Sequence, residues 1–523
     1  MSAIIVRILF ICVAVCVLGC KNQPVEEKKT DAAREAHRLQ YHFSPPSHWM
    51  NDPNGMVFYK GEYHLFYQYY PDSTVWGPMH WGHAVSKDLV HWEHLPIALY
   101  PDSLGYIFSG STVVDWKNSS GLGTQTDPPL VAIYTYHDAV MAEKGDTTYQ
   151  TQGLAYSNDA GRTWHKYEQN PILENPGIKD FRDPKVFWFE PQQKWIMSLA
   201  VYDHVRFYSS PDLKTWTLES EFGKTAGSHA GVWECPDLFP LRVEGSDISK
   251  WVLLLSINPG GPNGGSATQY FVGDFDGKTF TNENADSITI WLDGGRDNYA
   301  GVTWSDIPAA DGRKIFMGWM SNWLYGQVVP TGTWRSAMTL PRQLTLHKHN
   351  NGYRLHSNPV KELESLRGDA FVFQNDTFSN ELDLTSQIGF PPSQMEIILE
   401  MEADTSASNI GIAVLNSRGE EYRVGYDAKN GQYYSDRITA GKNSFSPEFA
   451  KPVVFTKRES GEKLLRWHIF FDVASCEFFA DQGAVAITEI FFPNEDFNQI
   501  KLYAEDGEVV IRKAEFYRMK SIW

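Results

Sequence analysis

Cysteine is scarce, with five in 523 residues. Cys12, Cys16 and Cys20 fall in the first twenty positions, which leaves Cys235 and Cys476 for the rest of the chain. Those two lie in what read as different domains, so no disulfide framework is expected. Basic residues are in deficit as well. Lys and Arg number 46 against 64 Asp and Glu, a formal net charge of −18. A surface of that sign repels phosphate and excludes nucleic acid as a partner, and it argues against polyanionic substrates. His48, His64, His80 and His83 cluster in sequence, but no spacing among them matches a metal site, and no metal or cofactor is expected. The glycine-rich "NPGGPNGG" at 258–265 lacks the Lys of a phosphate loop and reads as a long turn. No low-complexity tract and no long amphipathic helical period is present. A neutral substrate fits best.

What is plentiful is aromatic. Phe, Trp and Tyr make up 14% of residues, with 18 Trp and 25 Tyr. Such a load is typical of β-rich proteins and of sites that stack on sugar rings. The opening "MSAIIVRILFICVAVCVLGC" is an apolar run with one Arg, too short and too early for a mature membrane span. It ends in Val-Leu-Gly-Cys and resembles a bacterial lipobox. Residues 1–19 are thus expected to be a lipoprotein signal, Cys20 the lipidated residue and 20–38 a charged flexible tether. An exported lipoprotein, periplasmic or at the cell surface, follows.

From about residue 40 short β-type runs such as "GEYHLFYQYYP", "LVAIYTYHD" and "WVLLLSINPGG" are broken by Gly, Pro, Asn and Asp. This pattern predicts an all-β chain. "SKDLVHW" at Ser86, "SNDAGRTW" at Ser157 and "SPDLKTW" at Ser210 repeat one theme, with a degenerate copy, "GDFDGKTF", at Gly273. A hairpin recurring in this way predicts propeller blades of four strands. After about residue 350 a connector gives way to period-two alternation, as in "SQMEIILEMEAD", which predicts a β-sandwich. The expected division is a propeller over 39–348, a linker over 349–368 and a sandwich over 369–523.

Three acids share an unusual context of Pro and aromatic neighbours: Asp52 in "HWMNDPNG", Asp183 in "DFRDPKVFW" and Glu234 in "VWECPDLFP". The first stretch reads as a tight turn. Inner strands of successive blades run side by side, so acids on different blades converge on one funnel. Hydrolysis of a glycosidic bond needs two carboxyls across it: one donates a proton, and the other attacks the sugar or activates water. Arg182 beside Asp183 is expected to keep that carboxylate ionised. The apolar neighbours of Glu234 favour the protonated form that a general acid needs. Cys235 has no basic partner in view and reads as packing.

"HWMNDPNG", "FRDPKVFW" and "WECPDLF" resemble the three signature blocks of glycoside hydrolase family 32, the invertase, inulinase and levanase group. The likeness extends through "HLFYQYYP", "WGPMHWGHAVSKDLVHWEHLPIAL", "IFSGS", "LDGGRDNYAGVTWS", "GWMSNW" and "WRSAMTLPRQLTL", nearly all of 41–345 in order. The resemblance implies a five-bladed β-propeller followed by a β-sandwich. It implies Asp52 as nucleophile, Glu234 as acid/base and Asp183 as the residue that holds ring hydroxyls and stabilises the transition state. Asn51, Gln68, Trp76, Phe108, Ser109, Arg182 and Trp319 match positions lining the terminal-fructose pocket, and Trp49 is expected to wall it. Gly294 and Tyr70 depart from the family pattern where an aromatic and an Asn are common. The expected substrate is a fructan, levan or inulin, cut from its end to release fructose, with sucrose as a side substrate. Endo-levanase is the alternative reading. A fructosyltransferase or a non-catalytic fructan-binding protein stands behind it.

Overall fold

The computed structural model describes residues 35–523. The signal peptide, Cys20 and most of the expected tether lie outside the described residues. Five four- or five-stranded antiparallel sheets follow one another from His48 to Pro359, each a propeller blade. The inner strands are β1 (His48–Tyr59), β2 (Tyr106–Val114), β3 (Phe181–Phe189), β4 (Val232–Arg242) and β5 (Tyr299–Thr303). The ring closes where β1 meets the last blade. His48 and Trp49 pair in parallel with Trp334 and Arg335, and Ser305 N donates to Met56 O at 2.9 Å.

The Asp-turn repeat has a physical basis that the blades make plain. Each copy links the third strand of a blade to the fourth. Asp88, Asp212 and Asp276 each accept two backbone N–H groups of the turn that follows, at 2.7–3.0 Å, and Asp159 accepts that of Thr163 at 2.8 Å. The Trp that ends the motif then donates its indole N–H back to the turn: Trp92 to Leu89 O, Trp164 to Gly161 O and Trp216 to Leu213 O, at 3.0–3.1 Å. One Asp and one Trp thus satisfy the polar groups of a loop that could not otherwise pack.

The outer strand of the fifth blade is Gly352–Pro359, so part of the segment expected as a linker from 349 belongs to the propeller. Its residues pair with Arg342–His349 in full register, and the Asn-Gly turn between the two strands closes the hairpin. Only a two-turn 3-10 helix, Lys361–Leu366, separates it from the next strand.

The C-terminal part is a β-sandwich. A 21-residue strand, Gln499–Met519, joins its layers, pairing through its first half with Asn409–Leu415 and through its second with Met395–Ala403. Trp467, Phe471, Val424 and Ile412 fill the space between. Burying large apolar side chains is what holds such layers together, at about 1.5–3 kcal/mol each. A buried ionic cluster fixes the sandwich to the propeller. Arg342 of the fifth blade bonds Asp293 (2.9 Å), Glu477 (2.5 Å) and Thr488 (2.5 Å), and His42 bridges Asp472 (2.8 Å) and Glu477 (3.0 Å).

Candidate active site

All five inner strands carry a pairing irregularity near the same end of the channel. The register shifts fall between Met50 and Pro53 in β1, between Ile107 and Gly110 in β2, between Glu234 and Asp237 in β4, and between Tyr299 and Val302 in β5. In β3 the shift lies between the partners of Arg182 and Lys185. A bulge re-aims the side chain it carries, and here five of them aim inward at one place. Asp183 at φ +64° and Cys235 at φ +48° sit in the left-handed region, strain of the kind found where backbone is set for function. The "HWMNDPNG" stretch is therefore a bulged strand and not the tight turn its composition predicts. Pro53 supplies no N–H to the ladder and Gly55 takes φ +52°, which together interrupt the pairing without ending the strand.

The bulges enclose a cavity of about 300 Å³. Asp52, Asp183 and Glu234 all line it, as do Asn51, Gln68, Trp76, Phe108, Ser109 and Arg182. Ser109 Oγ donates to Asp52 Oδ2 at 2.7 Å, and Asn51 Nδ2 donates to Oδ1 at 2.9 Å. Asn51 is itself fixed by the Trp49 indole N–H at 2.8 Å. The Cys235 thiol lies 3.7 Å from Asp52 and 3.6 Å from Asp183, and the Cys235 backbone N–H donates to Asp183 Oδ2 at 3.0 Å. Tyr299 donates its hydroxyl to Glu234 Oε2 in a very short bond. Arg182 holds the other oxygen of Glu234 through Nη2 at 2.9 Å and Nε at 3.2 Å, and it bonds Asp180 at 2.5 Å.

Three expectations need correction. Trp49 and Trp319 do not line the cavity. Both are fully buried and pack edge-to-face with centroids 5.9 Å apart, forming a layer behind the wall, while Trp323, packed against both, lines the pocket. Arg182 hydrogen-bonds Glu234 and Asp180 and not Asp183, on which it acts through its charge, favouring the ionised form. Glu234 is consequently set among charged and hydroxyl groups rather than in apolar surroundings. Tyr299, His137, Tyr149, Gln150, Asp180, Trp323 and Gln327 complete the site and escaped sequence reasoning. Asp180, Tyr299 and Trp323 lie within the runs "DFRDPKVFW", "LDGGRDNYAGVTWS" and "GWMSNW", whereas His137, Tyr149, Gln150 and Gln327 stand in no such run and are brought in by the topology alone.

The electrostatics follow from burial. Desolvation, with the Glu234 charge adding to it, pushes Asp52 up to about 6 against the pull of Ser109 and Asn51. Asp183 is also raised, by burial first and then by Glu234 and Asp52, with Arg182 opposing. The Cys235 thiol and the Tyr299 phenol are driven well above their usual ranges by burial, so each remains a proton donor to its carboxylate. His137, stacked on Phe108 at 4.2 Å, is lowered to about 4 by burial and is neutral.

Residues 42–359 match the glycosyl hydrolases family 32 N-terminal domain, and residues 362–518 match the family's C-terminal domain. A levanase of Bacillus subtilis (strain 168) is 49% identical over 495 residues, covering 94% of this chain and 71% of its own length. An extracellular exo-inulinase of Aspergillus niger is 38% identical over 518 residues, with 94% and 96% covered. The crystal structure of exo-inulinase from Aspergillus awamori superposes with a TM-score of 0.85 at 35% identity, over 94% of this chain and 99% of that one.

Proposed function

The chain belongs to glycosyl hydrolase family 32, and from that premise we propose a retaining fructan hydrolase that removes fructose from the chain end, with sucrose as a side substrate. It is a glycosidase of the levanase and inulinase kind. The observation that carries the reading is that Asp52 and Glu234 line one small pocket, each held by neutral or cationic donors. One oxygen of Asp52 attacks the anomeric carbon of the terminal fructosyl unit. Glu234 delivers its proton to the glycosidic oxygen as that bond breaks, so the leaving sugar departs neutral. The resulting fructosyl ester on Asp52 is cleaved by water, whose proton returns to Glu234. Asp183 takes hydrogen bonds from ring hydroxyls and offsets the positive charge that builds on the ring. Rigid placement is what these bulges supply, since a nucleophile misplaced by about 1 Å forfeits roughly 10²-fold.

The pocket's size supports action at chain ends. A volume of about 300 Å³ suits a terminal sugar rather than a chain passing through. Trp76 N donates to Gln327 at 3.3 Å, so loops of the first and fifth blades meet at the rim. On levan and inulin, fructose should be the sole early product by chromatography. An early ladder of oligosaccharides would establish endo cleavage in its place.

Asp52 acts as a carboxylate, so activity rises with pH through about 6 as it ionises. Ser109→Ala removes a hydrogen bond that lowers Asp52. The acid limb of kcat/KM should move to higher pH, leaving a larger loss on the acid side than near neutrality. An unmoved limb would assign that limb to another group.

The lipobox-like run ending at Cys20 supports export and lipid anchoring, in keeping with the extracellular location in the relatives' names. Labelled fatty acid should enter the wild-type chain and not Cys20→Ala; equal labelling would remove the anchor.

A further inference from the structure

The propeller channel has a second mouth. Each inner strand begins at the active pocket and runs away from it, so residues a few positions on gather at the other end. A separate cavity of about 410 Å³ lies there, sharing no lining residue with the first. We propose that this far mouth is a second carbohydrate site, taking a short neutral stretch of fructan; the proposal rests on the fructan reading above.

Its wall carries a prepared aromatic surface. Among the described tryptophans, Trp76 and Trp116 are exposed by a third or more, and Trp76 stands at the active pocket's rim. Trp116, 58% exposed, lines the far cavity. It is pinned there: its indole N–H donates to Asp306 Oδ1 at 2.8 Å, and its ring packs edge-on against Tyr59 at 5.9 Å. Beside it Trp188 is held by Glu190 at 2.5 Å, with the Lys117 ammonium 4.6 Å from its ring centre. An exposed indole fixed in this way offers area to a sugar while losing little conformational freedom on binding.

The polar groups point to a neutral ligand. Lys314 reaches into the cavity with its ammonium 5.1 Å from the Phe239 ring centre and takes no hydrogen bond or ion pair among the described residues. Its three N–H donors are free for hydroxyl oxygens. Lys185 is engaged by Thr303 O and lies 3.4 Å from Asp237. Three ammoniums, Lys117, Lys185 and Lys314, therefore share the lining with three carboxylates, Glu190, Asp237 and Asp306, and a phosphate or carboxylate ligand would meet repulsion as well as attraction. A polyhydroxylated ring, which both donates and accepts, meets both signs favourably. Held at this site, a polymer keeps its chain ends near the enzyme between cleavages.

Calorimetric titration of Glu234→Gln with 1-kestose tests the site. Two binding events are expected. Adding Trp116→Ala, or Lys314→Met as a variant that keeps both exposed tryptophans, should abolish one event and spare the other. In the otherwise wild-type enzyme, Trp116→Ala should raise KM on polymeric levan by roughly tenfold and leave kcat and KM on sucrose unaltered. A single event that both variants leave intact overturns the second site while the fructan reading stands. No binding by any variant, with no hydrolysis of levan, inulin or sucrose by the wild type, overturns both.

Discussion

A Glu234→Gln variant should lose about 10²–10⁴ in kcat on sucrose and on fructans. The amide keeps the shape of the side chain, its one oxygen able to accept from Arg182 while its NH2 group donates to the Tyr299 hydroxyl, yet it has no acidic proton to give to the leaving oxygen. Fructosyl fluoride separates this role from a structural one, because fluoride leaves without protonation. The variant should form its fructosyl ester from the fluoride at near wild-type rate and then stall, since water lacks its base. Azide, which needs no base, should release the enzyme and yield the β-fructosyl azide. Equal losses on fluoride and sucrose would mean that Glu234 only shapes the pocket.

The second large effect concerns stability. Arg342 is fully buried, with its guanidinium spread over Asp293, Glu477 and Thr488 between the propeller and the sandwich. Arg342→Ala strands two buried carboxylates and should cost about 3–5 kcal/mol in denaturant unfolding. Arg342→Leu together with Glu477→Leu should recover part of that loss, since an apolar pair leaves fewer charges unmatched. His42 gives the same interface a pH dependence. Burial works against its charged form, but hydrogen bonds and charge from Asp472 and Glu477 prevail and hold it up to about 9. A histidine raised above its unfolded value of 6.5 stabilises the fold fully below that value. The contribution fades as pH climbs through about 9. Tm should therefore fall over this window in the wild type and less in His42→Ala; parallel curves would contradict the assignment.

How far the sequence reaches depends on the range of the interaction that sets each feature. The blade repeat is legible because Asp88 and Trp92 act within their own turn. Asp52, Asp183 and Glu234 are legible because each lies in a run whose Pro and aromatic neighbours constrain the backbone locally. The bulges that aim them are not legible: a register shift is a relation between two strands, and Pro53 or Gly55 alone reads as a turn. The same limit explains the tryptophans. Trp49 and Trp319 look like pocket residues by position, but whether an indole faces the cavity or the layer behind it is decided by Trp323 and Asn51. Tyr299 is the clearest omission. It stands in "RDNYAGVTWS" with no acid beside it, and its partner Glu234 is 65 residues away.

A covalent bond between Asp52 and the sugar is what distinguishes a retaining hydrolase from one in which water attacks directly. The most direct measurement is to treat Glu234→Gln with fructosyl fluoride, quench in acid, digest and locate the label by mass spectrometry. One anhydrofructosyl unit is expected on the peptide carrying Asp52, lost on prior addition of azide. A label on Asp183, or hydrolysis with inversion and no label at all, would contradict it.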